Sequence, residues 1–167
     1  MPGDARVAQA KVTLSRWTMP ALRIGMGLFL FAWGLDKLLA VEGSQRIFQR
    51  FYKLDAGPSL VQLAGAAEIA LAVLLAVGLL RRPIAWVVLV ANAASTLASW
   101  RQILDPWGRL GLGPGGTHLF LASIVIMAVS IVLVLNAGDD TLTLDAQRAR
   151  RSRDAAGSPR GDPARLP

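Results

Sequence analysis

Cysteine is absent from this chain of 167 residues, and histidine occurs only once, at His118. Without thiols, the chain cannot form disulfides, ligate an iron–sulfur cluster or attach a c-type haem. One imidazole per copy also excludes a haem held by two histidines and a copper centre with several. The composition therefore predicts no metal site and no covalent cofactor, so a redox role would need a bound organic cofactor or a partner protein.

Charge is scarce along most of the chain, at 17% of residues. Nearly all of it lies in the first 16 residues, the last 30 and two short stretches between apolar runs. A soluble domain would scatter its charges along every amphipathic element. The pattern predicts an all-α, polytopic membrane protein, a bundle of four transmembrane helices over about residues 18–41, 59–80, 84–100 and 117–136.

The net charge of +7 would favour nucleic-acid binding in a soluble protein. Here the excess arginine lies beside apolar runs, where the positive-inside rule and anionic lipid account for it. We therefore expect the lipid bilayer as a partner and no nucleic acid.

The segments outside the spans predict three further features. Residues 1–16 are polar and basic, typical of a mobile cytoplasmic leader, and Thr18 precedes a Met-Pro pair that is typical of a helix start. In residues 42–57, apolar residues recur at helical spacing beside basic ones, which predicts a short amphipathic helix in the first outer loop. Residues 17–145 would form the membrane domain, and residues 146–167 a disordered basic tail.

The distribution of lysine and arginine predicts the orientation. The leader contains three lysine and arginine residues, the corner at residues 81–83 contains two and the tail contains six. In a four-span protein these eleven residues lie on one side of the membrane, and the five in the two other loops lie on the opposite side. The richer side is expected to be cytoplasmic. The protein would then lie in the inner (plasma) membrane, with both termini in the cytoplasm.

Polar side chains inside the spans are candidate functional residues, because burying them in lipid is costly unless they are paired. Estimated depths, at about 1.5 Å per residue, place Arg23, Glu68 and Asn92 in one inner cluster. Two interpretations of this cluster stay open. It is either an ion pair that determines helix register or a ligand site.

An outer polar cluster is predicted from Asp36, Lys37 and His118, with Trp100 beside it. The first two are also typical of an interfacial anchor. A single histidine at a helix start is more typical of a polar contact than of a ligand.

Several short motifs then recur in a recognisable order. The first span carries Leu22-Arg23-Ile24-Gly25 and Gly34-Leu35-Asp36-Lys37-Leu38, and later positions are Pro58, Glu68, Gly78, Arg82 and the closing run from Gly138 to Asp145. Over about residues 20–145 this resembles the DoxX family of four-helix bacterial membrane proteins. The closing run departs from the family pattern in having Asp140 for Gly and Thr143 for Ser.

The resemblance implies a redox-associated membrane subunit. The family takes its name from a thiosulfate:quinone oxidoreductase, and relatives accompany quinol oxidases, amine oxidation and oxidative-stress complexes. It does not imply one reaction. As a partner beside the bilayer we expect a redox protein or a second copy of the chain. A non-catalytic subunit is expected more than an enzyme.

Three functions remain open at this point. The leading hypothesis is a subunit of a redox complex that binds quinone between its helices, near Arg23, Glu68 and Asn92. The second is a small proton-coupled carrier in which Glu68 exchanges a proton; the lack of obvious inverted repeats counts against it. The third is a structural, lipid-binding protein whose basic corner and tail contact anionic headgroups.

Overall fold

The structure is a computed structural model that describes residues 2–138 and 140–157, with side chains for residues 17–138 and 140–154. Within these ranges the chain is helical and contains no strand. The α-helices are α1 (Pro2–Leu39), α2 (Val41–Ile47), α3 (Pro58–Val77), α4 (Arg81–Ala98), α5 (Trp100–Leu104), α6 (Ala122–Leu135) and α7 (Leu144–Gly157). A π-helical turn at Phe48–Tyr52 follows α2, and a 3-10 turn at His118–Leu121 precedes α6.

Among the described residues, three helical stretches are long and apolar enough to cross a membrane: Trp17–Leu39, Pro58–Val77 and His118–Leu135. The last of these is only 11% buried, although it is the most apolar. Apolar side chains turned outward in this way are expected where lipid is the solvent. The fourth predicted span, residues 84–100, is not among the three, because α4 opens with two arginines and carries Asn92, Ser95 and Thr96.

Helix α1 begins earlier than the sequence predicts. It includes residues 2–16, whose backbone is helical rather than the expected mobile leader, and it continues through Pro20. The leader contains good helix formers such as Ala, Gln, Lys and Arg. A proline removes one backbone hydrogen bond and need not end a helix that is favoured on both sides.

Helices α1 and α3 pack closely along two small-residue contacts. A Cβ atom added at Gly27 would lie 3.1 Å from the carbonyl oxygen of Ala72, and one added at Gly34 would lie 2.9 Å from that of Gly65. Small residues at such positions let two backbones approach each other in lipid. These contacts determine the register of α1 against α3, and α4 packs mainly on α6.

The two ends of the bundle can be distinguished by contacts. At the Arg23 end, where α3 ends and α4 begins, Arg81 contacts Asp140, which follows α6. At the opposite Lys37 end, the ring of Phe51 lies 5.6 Å from that of Phe120. The start of α6 therefore lies at the Lys37 end, and its end lies at the Arg23 end.

The connections contain more helix than the sequence predicts. Residues 42–57 are helical as far as Tyr52, in α2 and the π-helical turn, in agreement with the predicted short helix. Part of the predicted disordered tail, up to Gly157, forms α7, and residues 158–167 lie outside the described part. The Thr143 hydroxyl accepts a hydrogen bond from the Ala146 N–H, an N-terminal cap that the compositional interpretation of the tail overlooked.

Candidate functional site

Arg23 forms the first of two ion pairs among the described side chains. Its Nη1 donates to Asp140 at 2.5 Å, its Nε to the carbonyl of Ala76 at 3.1 Å and its Nη2 to that of Leu142 at 2.9 Å. The side chains of Arg23 and Asp140 are only 8% and 6% exposed. All three nitrogens of the guanidinium therefore have protein acceptors, and the group holds α1, the end of α3 and the segment after α6 together.

Further hydrogen bonds extend this contact into what we call the Asp140 junction, formed by Arg23, Gly78, Arg81 and residues 140–145. Arg81 Nη1 donates to the Asp140 carbonyl at 2.6 Å, and its backbone N–H donates to the Asp145 carboxylate at 3.1 Å. Gly78 has a φ of +70° at the end of α3, and a Cβ there would lie 2.6 Å from a Thr143 methyl group. The junction therefore requires glycine at this position.

Lys37 and Glu68 form the second ion pair, with 2.5 Å between Nζ and Oε2. Lys37 Nζ also donates to the Trp33 carbonyl at 3.3 Å and lies 5.6 Å from the centre of the Trp33 ring. The two side chains are 17% and 21% exposed, so this pair is more accessible than the first. Gly34 and Gly65, each three residues earlier in its helix, allow the backbones to approach closely beside it.

The predicted inner cluster of Arg23, Glu68 and Asn92 does not form. The reason is the register of α1 against α3, which keeps Arg23 away from Glu68. Because Gly27 faces Ala72, Arg23 lies beside Ala76. That position is eight residues from Glu68, or about 12 Å along a helix. Glu68 instead lies within reach of Lys37.

Asn92 lies in the core between helices. Its amide donates to the Ser130 hydroxyl at 2.9 Å and contacts the Met26 sulfur at 3.6 Å, and Ser130 in turn donates to the Ile126 carbonyl. Asn92 and Ser130 are both buried. The amide therefore links α4 to α6 rather than joining a charged cluster.

The predicted outer cluster of Asp36, Lys37 and His118 does not form either. Asp36 accepts a hydrogen bond from the Ser44 hydroxyl at 3.4 Å, while Lys37 bonds to Glu68. Neighbouring residues of a helix point about 100° apart, so Asp36 and Lys37 cannot share a face. Among the described side chains, no hydrogen bond or ion pair links exposed His118 to either of them.

Trp100, expected beside this cluster, is stacked instead with its neighbour on α5. The Arg101 guanidinium lies 5.3 Å from the centre of the Trp100 ring, which is 45% exposed.

Asp105 organises the loop between α5 and the 3-10 turn, outside the spans. The backbone N–H groups of Arg109, Leu110 and Leu112 donate to its carboxylate at 2.7, 3.0 and 3.1 Å. Burial by itself acts to raise the pKa of Asp105. Backbone hydrogen bonds from Leu110, Leu112, Arg109 and Gly108 together outweigh burial and hold that pKa below its ordinary value.

Comparison with known families decides what kind of chain this is. The model of the DoxX family matches residues 18–102, just over half of the 167 residues. The chain belongs to the DoxX family. The match includes both residues of the Lys37–Glu68 pair, together with Arg23 and Asn92, whereas Asp140 lies beyond it. No curated protein and no solved structure matches this DoxX chain.

Sequence reasoning missed the partners rather than the charged residues. In the sequence Asp140 stands out only as a departure from the family pattern, yet in the structure it pairs with Arg23. An acid directly after the last span, on the side where α1 enters, is the signal that could have found it. Trp33 and Ser130 are ordinary residues of apolar helices, and only the packing shows their contacts.

Proposed function

We propose that this DoxX protein is an integral membrane subunit of a redox complex and that it binds a quinone at the Lys37–Glu68 pair. The observation that carries the proposal is the partial exposure of this pair amid apolar helices. The earlier hypothesis also used Arg23 and Asn92, but both are buried with protein partners. Glu68 therefore stays in the proposal, and Lys37 joins it.

The donor set fits a quinone head. A quinone carbonyl accepts hydrogen bonds, and a lysine ammonium has three N–H donors, two of which are used by Glu68 and the Trp33 carbonyl. Glu68 would accept the hydroxyl proton of the reduced form. The Trp33 ring adds an apolar surface next to the ammonium. A bound quinone would supply the redox chemistry, and the protein would position its polar groups.

We also propose that α4 is the fourth crossing. The chain leaves α3 at the Arg23 end, where Arg81 contacts Asp140, and enters the His118–Leu135 span at the Lys37 end. If the other three stretches cross the bilayer, the segment from Arg81 to Thr117 must cross it too. The Thr117 hydroxyl bonds to the Gln102 carbonyl at 3.3 Å, so α5 has already reached that second face.

We propose that the protein lies in the inner membrane of the cell. Its Arg23 end would face the cytoplasm. Arg81, Arg82 and the arginines of α7 lie on this side, as the positive-inside rule requires. Both termini would then be cytoplasmic.

Binding of a short-chain quinone to the purified full chain in detergent tests the quinone site. We expect Glu68→Gln and Lys37→Gln each to weaken binding by about tenfold or more, because each removes a charged hydrogen-bonding group. Asp36→Asn is the matched control, since this neighbour of Lys37 bonds to Ser44. Thermal unfolding of every variant separates loss of the site from loss of the fold.

The other two functions correspond to different results. Proton uptake by vesicles that depends on Glu68, without quinone binding, would favour the carrier. Unchanged behaviour of Glu68→Gln in both assays would favour a purely structural, lipid-binding protein. Recovery of an oxidoreductase after gentle purification would support the subunit role.

A further inference from the structure

An apolar groove runs between α1 and α6. Its volume is about 210 Å³. Among the described residues, no atom outside the helix's own neighbourhood lies within 4 Å of a Cβ built at Gly25, so this part of the groove is open. The groove is lined by Leu22, Gly25 and Phe29 from α1 and by Val125, Ile126 and Val129 from α6.

A ridge of side chains joins this groove to the Lys37–Glu68 pair. Phe29, Trp33 and Lys37 are spaced four residues apart, so they follow one another along a single face of α1. The rings of Phe29 and Trp33 are 6.3 Å apart, and Lys37 Nζ lies 5.6 Å from the Trp33 ring. From Gly25 to Lys37 the path measures about 18 Å along the helix axis.

We propose that the groove, the ridge and the ion pair form one site for a membrane-dissolved amphiphile with a single long apolar chain. The head binds at Lys37 and Glu68, and the chain extends over Trp33 and Phe29 into the groove. This inference rests on the proposed quinone function and specifies its ligand as a long-chain quinone.

The shape of the groove favours a chain over a helix of a second copy. A helix with its side chains is about 10–12 Å across, and packed helix axes lie about 8–10 Å apart, so a third helix would lie over the seam without entering it. A single hydrocarbon chain is much narrower. The groove also leads to a polar pair at one end. An amphiphile needs such a pair for its head, whereas the packing of a second helix does not.

Photolabelling of the full chain in nanodiscs tests the site. The probe is an isoprenoid quinone with a photoreactive group at the far end of its chain, compared with an isoprenoid alcohol of the same length. We expect the quinone to label α6 near Val125 to Val129, and Gly25→Phe to reduce this labelling by about tenfold. Leu28→Phe is the matched control, since it adds the same ring to an exposed position of α1.

The outcomes distinguish this inference from the proposed function. Equal labelling of the original chain and Gly25→Phe would overturn the claim that the apolar chain of the ligand occupies the groove. Quinone binding at the Lys37–Glu68 pair would still stand if binding of the short-chain quinone depends on Glu68. Labelling that is equal for quinone and alcohol, and unchanged by Glu68→Gln, would overturn both the head position and the quinone function. A preference for the quinone that Glu68→Gln removes supports the whole site.

Discussion

The Arg23 guanidinium in the first span and the Asp140 carboxylate beyond the last helix of the bundle form a buried ion pair at 2.5 Å. The two residues are 117 positions apart in the chain. Their contact joins the entry of α1 to the exit of α6, and Arg81 bonds to the same segment from the start of α4. The Asp140 junction therefore holds together the end of the bundle that we propose is cytoplasmic.

Removal of one partner of this pair should destabilise the protein strongly. Asp140→Asn or Arg23→Met leaves a buried group without its partner, so each is expected to lower the free energy of unfolding by about 3–5 kcal/mol. The double variant should lose less than the sum of the two. Unfolding in detergent, analysed as a double-mutant cycle, measures this coupling.

The matched control for that cycle is Arg23 with Glu68, which do not touch. Arg23→Met and Glu68→Gln should have additive effects, whereas Lys37→Gln and Glu68→Gln should be coupled. Coupling between Arg23 and Glu68, with additivity for Arg23 and Asp140, would contradict the register of α1 against α3.

Gly65 should tolerate no larger side chain. A Cβ there would lie 2.8 Å from the Gly34 carbonyl oxygen and 2.8 Å from the Lys37 Cβ, neither of which can move freely. Gly65→Ala is expected to cost about 1–3 kcal/mol of stability through overpacking. Gly25→Ala, at an open position of α1, should instead be neutral or stabilising by up to about 1 kcal/mol. Thermal unfolding of both variants compares them directly, and equal losses would disprove the close crossing.

The Asp105 loop should loosen in acid. The pKa of Asp105 is lowered in the folded protein, so its stabilising effect is present above the ordinary pKa of 3.8 and is lost as pH falls through the lower folded value. Asp105→Asn should therefore weaken the loop at pH 7 but make little difference at the acid end. Hydrogen exchange of the Leu110 and Leu112 amides measures this, with Asp55→Asn as the exposed control. Protection that Asp105→Asn leaves unchanged at pH 7 would refute the role of the carboxylate.

Reporter fusions should establish the number of crossings. With four spans, a fusion after Pro167 behaves as cytoplasmic, and one after Gly113, in the Asp105 loop, behaves as periplasmic. If α4 did not cross, Gly113 would stay on the side of Arg81 and the C-terminus would lie on the opposite side. Alkaline phosphatase and green fluorescent protein fusions at the two positions distinguish these arrangements.

The helical character of the chain could be predicted from its sequence, because long runs without charge have few other stable structures in lipid. The three candidate spans of the structure lie close to predicted ones. The prediction failed at residues 2–16 and at α7, where polar composition suggested no helix. Good helix formers in the leader and the Thr143 cap on α7 outweighed that composition.

The sequence alone determined that these helices are apolar, that few polar groups lie within them and that the family is DoxX. Which of those groups meet was decided only by the tertiary structure. The contacts of Gly27 and Gly34 with α3 place Lys37, rather than Arg23, within reach of Glu68. The physical reason is that a register shift of a few residues moves a side chain by several ångströms along the axis. Such a shift is enough to exchange one ion-pair partner for another, and no periodicity within a single helix reveals it.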